Sequence, residues 1–513
     1  MILRSRHKSV LNILVLYFIV GTLSLLFRFL FTSLSEAGDA SNKSDLQNVA
    51  NRHSRDGVLV VTWADSSHSE FVFNWVDRAR ESMMTNFVVG ALDEPLHSLL
   101  MEQGVPTFDA SVVFPLEHKM LTAQIIGRAR ARLAALWAGI DVNVILCDVD
   151  AIWLRDPTRL FDENPAYDLM VASDQLVSTA EGDFEVAADS LSDANPGVLL
   201  MRRGKLELFA QEWDQALRED GYALDGEVFS KILSRGVVFN TNTPRRFLAF
   251  DQTLRVGILS VSLVSNGHTY FLQKLHEKSG VKPYAVHATH QFSGLSGKKH
   301  RFREAGLWCD KPGYYAPEKK IISINLNLPP EITASSNSVA GHFRLVNHQL
   351  KQIRGALAAA EQLNRTLLLP PILCGKDRTW TPRGQEMLES ALPSPFTCPL
   401  DHVFDVEYLL RHFDVRESGF NFKTQIDQVN ASSMKYFQTT DGLSSEVAHV
   451  HVRNSDDTFM TEKVAQKINK TTSFWCCMRH DPGSVWYDAF WDVEPHVDRH
   501  GRHWESWSPL PGP

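Results

Sequence analysis

Two aspartates spaced two apart, in Cys147-Asp148-Val149-Asp150, carry the sharpest chemical signal in the chain. They follow Val142–Cys147 (VNVILC), a mostly apolar run that reads as a buried strand. If the backbone stays extended, residues two apart face the same side, and both carboxylates project past the carboxyl end of that strand. In open α/β sheets that edge is where ligands bind. Two hard carboxylates at one point suit Mn²⁺ or Mg²⁺, which take a few protein oxygens and complete their sphere with substrate phosphates. A D-x-D by itself is also an ordinary solvated loop. The preceding strand and the following Trp153 favour the metal.

A second cluster is His287-Ala288-Thr289-His290, followed by Gly294, Gly297-Lys298-Lys299-His300 and Arg301. A histidine can complete a metal shell, and a Gly-Lys pair offers close backbone approach and positive charge to a diphosphate. Without the D-x-D this would read as a basic surface loop. A diphosphate leaving group needs such parts: a divalent cation as Lewis acid and cationic side chains to absorb developing charge. Asp174 and Gln175 follow the apolar run Asp168–Ala172 and suit sugar hydroxyls, or a turn cap equally well. Asn195-Pro196-Gly197 reads as a turn before a strand, and Asp225 starts a helix, where an N-cap is the ordinary alternative to a functional role. His118 and Lys119 precede a long helix, at a place fit for a phosphate. The aromatics between Phe474 and Trp491 read as core packing rather than a sugar platform.

The elements that must position these residues alternate between two periods. Val58–Thr62, Phe87–Ala91, Val142–Cys147, Asp168–Ala172 and Gly197–Met201 read as strands. Glu70–Ser82, Pro95–Gln103, Leu121–Trp137, Leu206–Arg218 and Glu227–Ser234 have helical spacing. This alternation predicts a mostly parallel sheet covered on both faces, an α/β Rossmann-like domain over 57–315. The texture changes near Pro317, and a helix at Asn347–Asn364 followed by a strand at Leu367–Leu369 predicts a second α/β domain over 316–513. Four of the six cysteines lie there, with Cys374 and Cys398 a plausible pair. So few cysteines in 513 residues cannot build a disulfide scaffold, and the core must be hydrophobic. The net charge of −8 makes nucleic acid an unexpected partner.

The amino terminus has a different character. Residues Val10–Phe27 carry no charge over 18 positions, with Arg4, Arg6 and Lys8 before them and Glu36, Asp39 and Asp45 after. That is long for a cleaved signal peptide and is read as a transmembrane signal anchor over 10–31. The charge asymmetry puts the tail 1–9 in the cytoplasm and the body across the membrane. Residues 32–56 read as a flexible stem. Sequons at Asn42, Asn364, Asn430 and Asn469 all fall on the expected lumenal side. This plan, shared by some receptors, is that of a single-pass type II Golgi membrane enzyme.

On these residues the sequence resembles the plant extensin arabinosyltransferases of glycosyltransferase family 77. The resemblance runs from about Val58 to Pro495. It is carried by VVTWAD, LCDVDAIWLRDP, SDQLV, VGILSVSLVSNGHTYF, KPYAVHATHQFSGLSGKKHRFREA, HFRLVNHQLKQIRGALAAAEQLNRTLLLPPILC, CPLDHVFDVEYLL and WCC…PGSVWYDAFWDVEP. It implies a GT-A fold, a UDP-sugar donor, Mn²⁺ at the D-x-D, retention of anomeric configuration and a glycan or glycoprotein acceptor. Carried over, Asp148, Asp150 and His287 are the implied metal ligands and Lys298 the diphosphate contact. Thr62, Lys119 and Asn195 join the implied donor-binding set. Asp174 and Gln175 are implied donor-sugar contacts, and Asp225 is the implied nucleophile or oxocarbenium stabiliser. The family pattern W-D-Q…F-N stands here as Leu224-Asp225-Gly226…Phe229-Ser230, which loses two polar groups and leaves the sugar open. UDP-xylose or UDP-galactose transfer, and a silent glycan-binding scaffold, are the competing expectations. The stretch NHQLKQIRGALAAAEQLNRTLLLPP also resembles the first nucleotide-binding unit of fucosyltransferases, as a likeness of fold.

Overall fold

The structure, a computed structural model, describes residues 43–111, 123–311 (apart from 179, 181 and 221), 314, 319–377, 392–404 and 406–417. Beyond these it gives the backbone of short strands between 435 and 495. The expected anchor 10–31 and Lys119 lie outside the described residues, and no helix among the described residues is long and apolar enough to cross a membrane.

Residues 43–53 form a helix, α1, which corrects the expectation of a flexible stem up to residue 56. Leu46 and Ala50, one turn apart, are buried in the main core, and Gln47 accepts from the Asp141 backbone N–H at 3.0 Å. Two apolar positions in a polar segment are a weak signal until a surface exists to receive them.

The first sheet begins with β1 (Val58–Ala64), followed by α2 (Ser69–Glu81), β2 (Phe87–Ala91), α3 (Glu94–Glu102), β3 (Thr107–Asp109), α4 (Ala123–Ala138) and β4 (Asn143–Cys147). Then come β5 (Ala151–Trp153), α5 (Leu160–Glu163), β6 (Leu169–Ser173), α6 (Ala187–Ser190), β7 (Ala194–Met201), α7 (Glu207–Glu219) and α8 (Asp225–Leu233). Strands β8 (Val238–Phe239), β9 (Phe247–Ala249) and β10 (Leu254–Ile258) complete it, in the order β3-β2-β1-β4-β7-β6-β10-β9-β8. Both faces are covered. Along β1, Leu59, Val61 and Trp63 enter one core while Val58, Val60 and Ala64 enter the other. Such two-sided burial explains why these strands read as continuous apolar runs.

The sheet is mixed rather than mostly parallel. β3, β2, β1 and β4 are parallel, but β7 runs antiparallel to both β4 and β6. Apolar periodicity records burial, not strand direction, so the sequence could not reveal this.

A small second sheet, β11-β12-β5, pairs β12 (Ala285–His287) with β11 (Val264–Asn266) in parallel and with β5 antiparallel. Beyond it, α9 (Leu275–Ser279) and α10 (Gly294–Glu304) lead to the carboxy-terminal unit. There β13 (Ile321–Ile324), α11 (Pro330–Ala334), α12 (Val339–Gln362), β14 (Thr366–Leu368), β15 (Ile372–Cys374), β16 (Phe396–Cys398), α13 (Val406–His412) and β17 (Val415–Arg416) follow. With β18 (Lys435–Phe437) and β19 (Val447–Val450) they make a parallel sheet ordered β17-β14-β13-β19-β18. Among the described residues these elements form an α/β arrangement with a core of their own. Its helix α12 starts eight residues earlier than expected, with the Ser338 hydroxyl capping the Gly341 N–H at 3.0 Å. Cys374 and Cys398 form the expected disulfide across the β15–β16 pair.

Candidate functional site

The D-x-D is a turn rather than an extended pair. Strand β4 ends at Cys147, and the Ala151 N–H donates to the Asp148 carbonyl at 3.0 Å. The turn curls both carboxylates to one side, so the expected convergence arises from a different backbone. β5 then leaves the main sheet and pairs with β12 in a register that sets His287 opposite Ala151. The Ala288 N–H donates to the Asp150 carbonyl at 3.0 Å. His287 Nε2 lies 3.6 Å from Asp148 Oδ2 and 3.5 Å from Asp150 Oδ1. Ligand atoms of the three side chains all fall within 4.8 Å of one another.

This donor set fits a divalent ion of the Mn²⁺ type: two hard carboxylates, one imidazole, and an open side toward a cavity. The cavity, about 180 Å³, is lined by Trp63, His68, Phe71, Arg130, the two aspartates and Lys298, among others. A larger one of about 450 Å³, near Arg78, Trp153 and His276, contains none of the clustered groups. Gly197 packs directly behind the cluster. A Cβ there would meet the His287 ring and come within 3.0 Å of Asp148 Oδ2. Its carbonyl accepts from the Asp148 N–H at 2.9 Å, so only a glycine allows β7 to approach this closely.

Three basic groups hold the carboxylates ionised. Burial alone would raise the Asp150 pKa, but the charges of Lys298 and His287 outweigh it and push it well down. For Asp148 burial is outweighed in the same way by Arg130 and His287. Burial would lower the His287 pKa, yet the two carboxylates bring it to about 9. Lys298 Nζ is 2.5 Å from Asp150 Oδ2. Arg130 forks onto Asp148, with Nε to Oδ1 at 3.0 Å and Nη2 to Oδ2 at 2.6 Å, and its Nη1 reaches Asp225 Oδ2. An ion would need neutral imidazole, so its binding releases the His287 proton.

Arg130 lies within α4, and no local sequence motif marks it. It is buried, and it ties Asp225 at the start of α8 to the D-x-D. Gly127, one turn earlier on α4, makes room for this: a Cβ there would fall 2.5 Å from the Asp225 Cβ.

The remaining expected residues divide. Asn195 lies within β7 rather than before it. Its Nδ2 donates to Asp174 Oδ2 at 2.6 Å and its Oδ1 accepts from the Gly197 N–H at 2.7 Å. Asp174 and Gln175 follow β6, and Asp174 Oδ1 and Gln175 Oε1 are buried acceptors with no hydrogen-bond partner. Thr62 is fully buried in β1 and does not line the cavity, although Trp63 and Ala64 do.

Residues 82–302 match the family model described as nucleotide-diphospho-sugar transferase. The chain is a glycosyltransferase that carries a domain of this nucleotide-sugar type, on an α/β fold with a mixed sheet. It is similar to plant arabinosyltransferases. An arabinosyltransferase of Arabidopsis thaliana is 29% identical over 520 residues, which cover 89% of this chain and 78% of that protein. A beta-arabinofuranosyltransferase of the same plant is 27% identical over 132 residues, 25% of each chain. A UDP-galactose:fucoside alpha-3-galactosyltransferase of Dictyostelium discoideum is 24% identical over 191 residues, 36% of this chain and 27% of that one. Among solved structures, the galactosyltransferase LgtC with donor and acceptor sugar analogues is 14% identical, covering 50% of this chain and 98% of that one. Its TM-score is 0.29.

Proposed function

We propose that this glycosyltransferase moves L-arabinofuranose from a UDP-sugar to a glycan on a hydroxyproline-rich glycoprotein, with retention and with Mn²⁺ held by Asp148, Asp150 and His287. The observation that carries the reading is the clustering of these three groups, two of which, Asp148 and Asp150, line one cavity together with Lys298 and Arg130. When bound, the ion supplies Lewis acidity at the donor diphosphate. Lys298 holds positive charge where the UDP leaves. Arg130 keeps Asp148 ionised and sets the angle of its carboxylate. To Asp225, joined to the cluster through Arg130, we assign stabilisation of positive charge at the anomeric carbon. Asp174 and Gln175, just after β6, are the residues we assign to sugar hydroxyls. We place the protein in the Golgi membrane as a single-pass type II enzyme, anchored by residues 10–31, on the strength of its amino-terminal sequence.

The similarity to arabinosyltransferases supports arabinose, while the galactosyltransferase relative supports UDP-galactose as a second reading. A donor screen with the purified chain and Mn²⁺ separates them. UDP release from UDP-arabinofuranose is expected. Release from UDP-xylose or UDP-galactose but not from UDP-arabinofuranose overturns the sugar. Silence with every donor, alongside retained glycan binding, leaves a scaffold instead. Retention in membranes after carbonate extraction tests the anchor.

A further inference from the structure

Helix α10 carries Lys298 to the D-x-D and packs Phe302 into the core of the first domain, yet it is also held by ionic contacts from the carboxy-terminal unit. Its sequence, Gly-Leu-Ser-Gly-Lys-Lys-His-Arg-Phe-Arg-Glu, holds five basic residues in eleven positions. Ser293, at its N-cap, makes no side-chain cap to the helix; its hydroxyl instead accepts from the Val406 N–H at 3.4 Å. Arg301, one turn beyond Lys298, is fully buried. Its Nε and Nη2 lie 3.1 and 3.0 Å from the two oxygens of Asp401, also fully buried. Asp401 Oδ2 further accepts from the Phe292 N–H at 3.0 Å, just before the helix. At the other end Glu417 takes His300 Nδ1 at 2.9 Å, and also contacts Arg303 and the Tyr314 hydroxyl.

We infer that the carboxy-terminal unit is a positioning element for the diphosphate end of the site, acting through Asp401 and Glu417 on α10 to fix Lys298. The inference rests on the proposed role of Lys298. A buried guanidinium and carboxylate in paired contact resist rotation, because breaking the pair leaves an unanswered charge in the core. With Arg301 so fixed, the height and rotation of Lys298 one turn away are fixed as well. An ångström of misplacement is enough to lose much of the benefit of a catalytic contact.

The test is a double-mutant cycle on UDP affinity, measured calorimetrically with Mn²⁺ on the full chain. Asp401→Asn is expected to weaken UDP binding about as much as Lys298→Ala, roughly tenfold or more. The pair together should be no worse than Lys298→Ala alone, and Asp401→Glu should restore part of the loss. Mn²⁺ affinity without nucleotide should stay within about twofold in Asp401→Asn, since the three metal groups lie on other elements. Additive losses in the cycle overturn the inference while leaving the role of Lys298 intact. No effect of Lys298→Ala overturns both. If Asp401→Asn does not fold, Glu417→Gln is run through the same cycle, with the same two outcomes.

Discussion

At the scale of single residues, the site depends on one missing side chain as much as on its charged ones. Gly197 lies where any Cβ would press on both His287 and Asp148. Gly197→Ala is therefore expected to keep the fold while lowering Mn²⁺ affinity about 10–100-fold, the range typical of disturbed ligand orientation. A metal titration followed by protein fluorescence, with melting temperature as the control, checks this. Unchanged affinity would remove His287 from the proposed ligand set. Asp150→Ala should abolish Mn²⁺-dependent UDP release and leave the fold intact; near-wild-type release would reduce the D-x-D to a turn.

At the scale of elements, two helices meet to present Asp225. Helix α4 supplies Arg130 and, at Gly127, the gap into which the start of α8 fits. Gly127→Ala would push Asp225 from the guanidinium. It should lower kcat about 100-fold, as small misplacements near chemistry do, with a smaller effect on donor KM. Overpacking of this kind costs about 1–3 kcal/mol of stability, which a thermal melt would register separately. An equal rise in KM with kcat unchanged would move Asp225 from a catalytic to a ground-state binding role. Asn195 acts similarly from β7, holding Asp174 and the Gly197 backbone together.

At the scale of the whole molecule, the joint between the two α/β units combines apolar packing at Phe271 and Leu272 with a buried ionic cluster. Burial would lower the His300 pKa, but Glu304 and Glu417 raise it to about 10. Burial would raise that of Glu417, but His300 and Arg303 lower it to about 2. The Glu417 contribution is present above the unfolded value of ~4.3 and is lost as pH falls from there toward 2. The His300 contribution is complete below ~6.5 and is lost as pH rises from there toward 10. The melting-temperature deficit of Glu417→Gln against the unaltered chain should thus be greatest between about pH 4.5 and 6.5 and shrink on both sides. A deficit that grows steadily to pH 10 would contradict the pairing. Within the carboxy-terminal unit, the Cys374–Cys398 bridge has a sequence separation of 24, and its reduction should cost about 3 kcal/mol by loop-closure entropy.

The sequence by itself determined the periodic elements and the strongest pair of ligands. Strand Phe87–Ala91 was read residue for residue, and most other core strands and helices within a few positions, because burial on two faces writes itself into continuous apolar runs. Asp148 and Asp150 were legible because they are neighbours in the chain. His287 and Lys298 came from resemblance and charge, with nothing local to say they would meet the D-x-D. Their meeting is a tertiary event: the β5–β12 register places one and the grip on α10 the other. Strand direction in the mixed sheet, the helix at 43–53, Arg130, and the clearances at Gly127 and Gly197 were likewise decided only in three dimensions. The physical reason is common to all of them. Periodicity encodes which side of an element is buried, whereas a site is made of contacts between elements whose partners lie tens to hundreds of residues away.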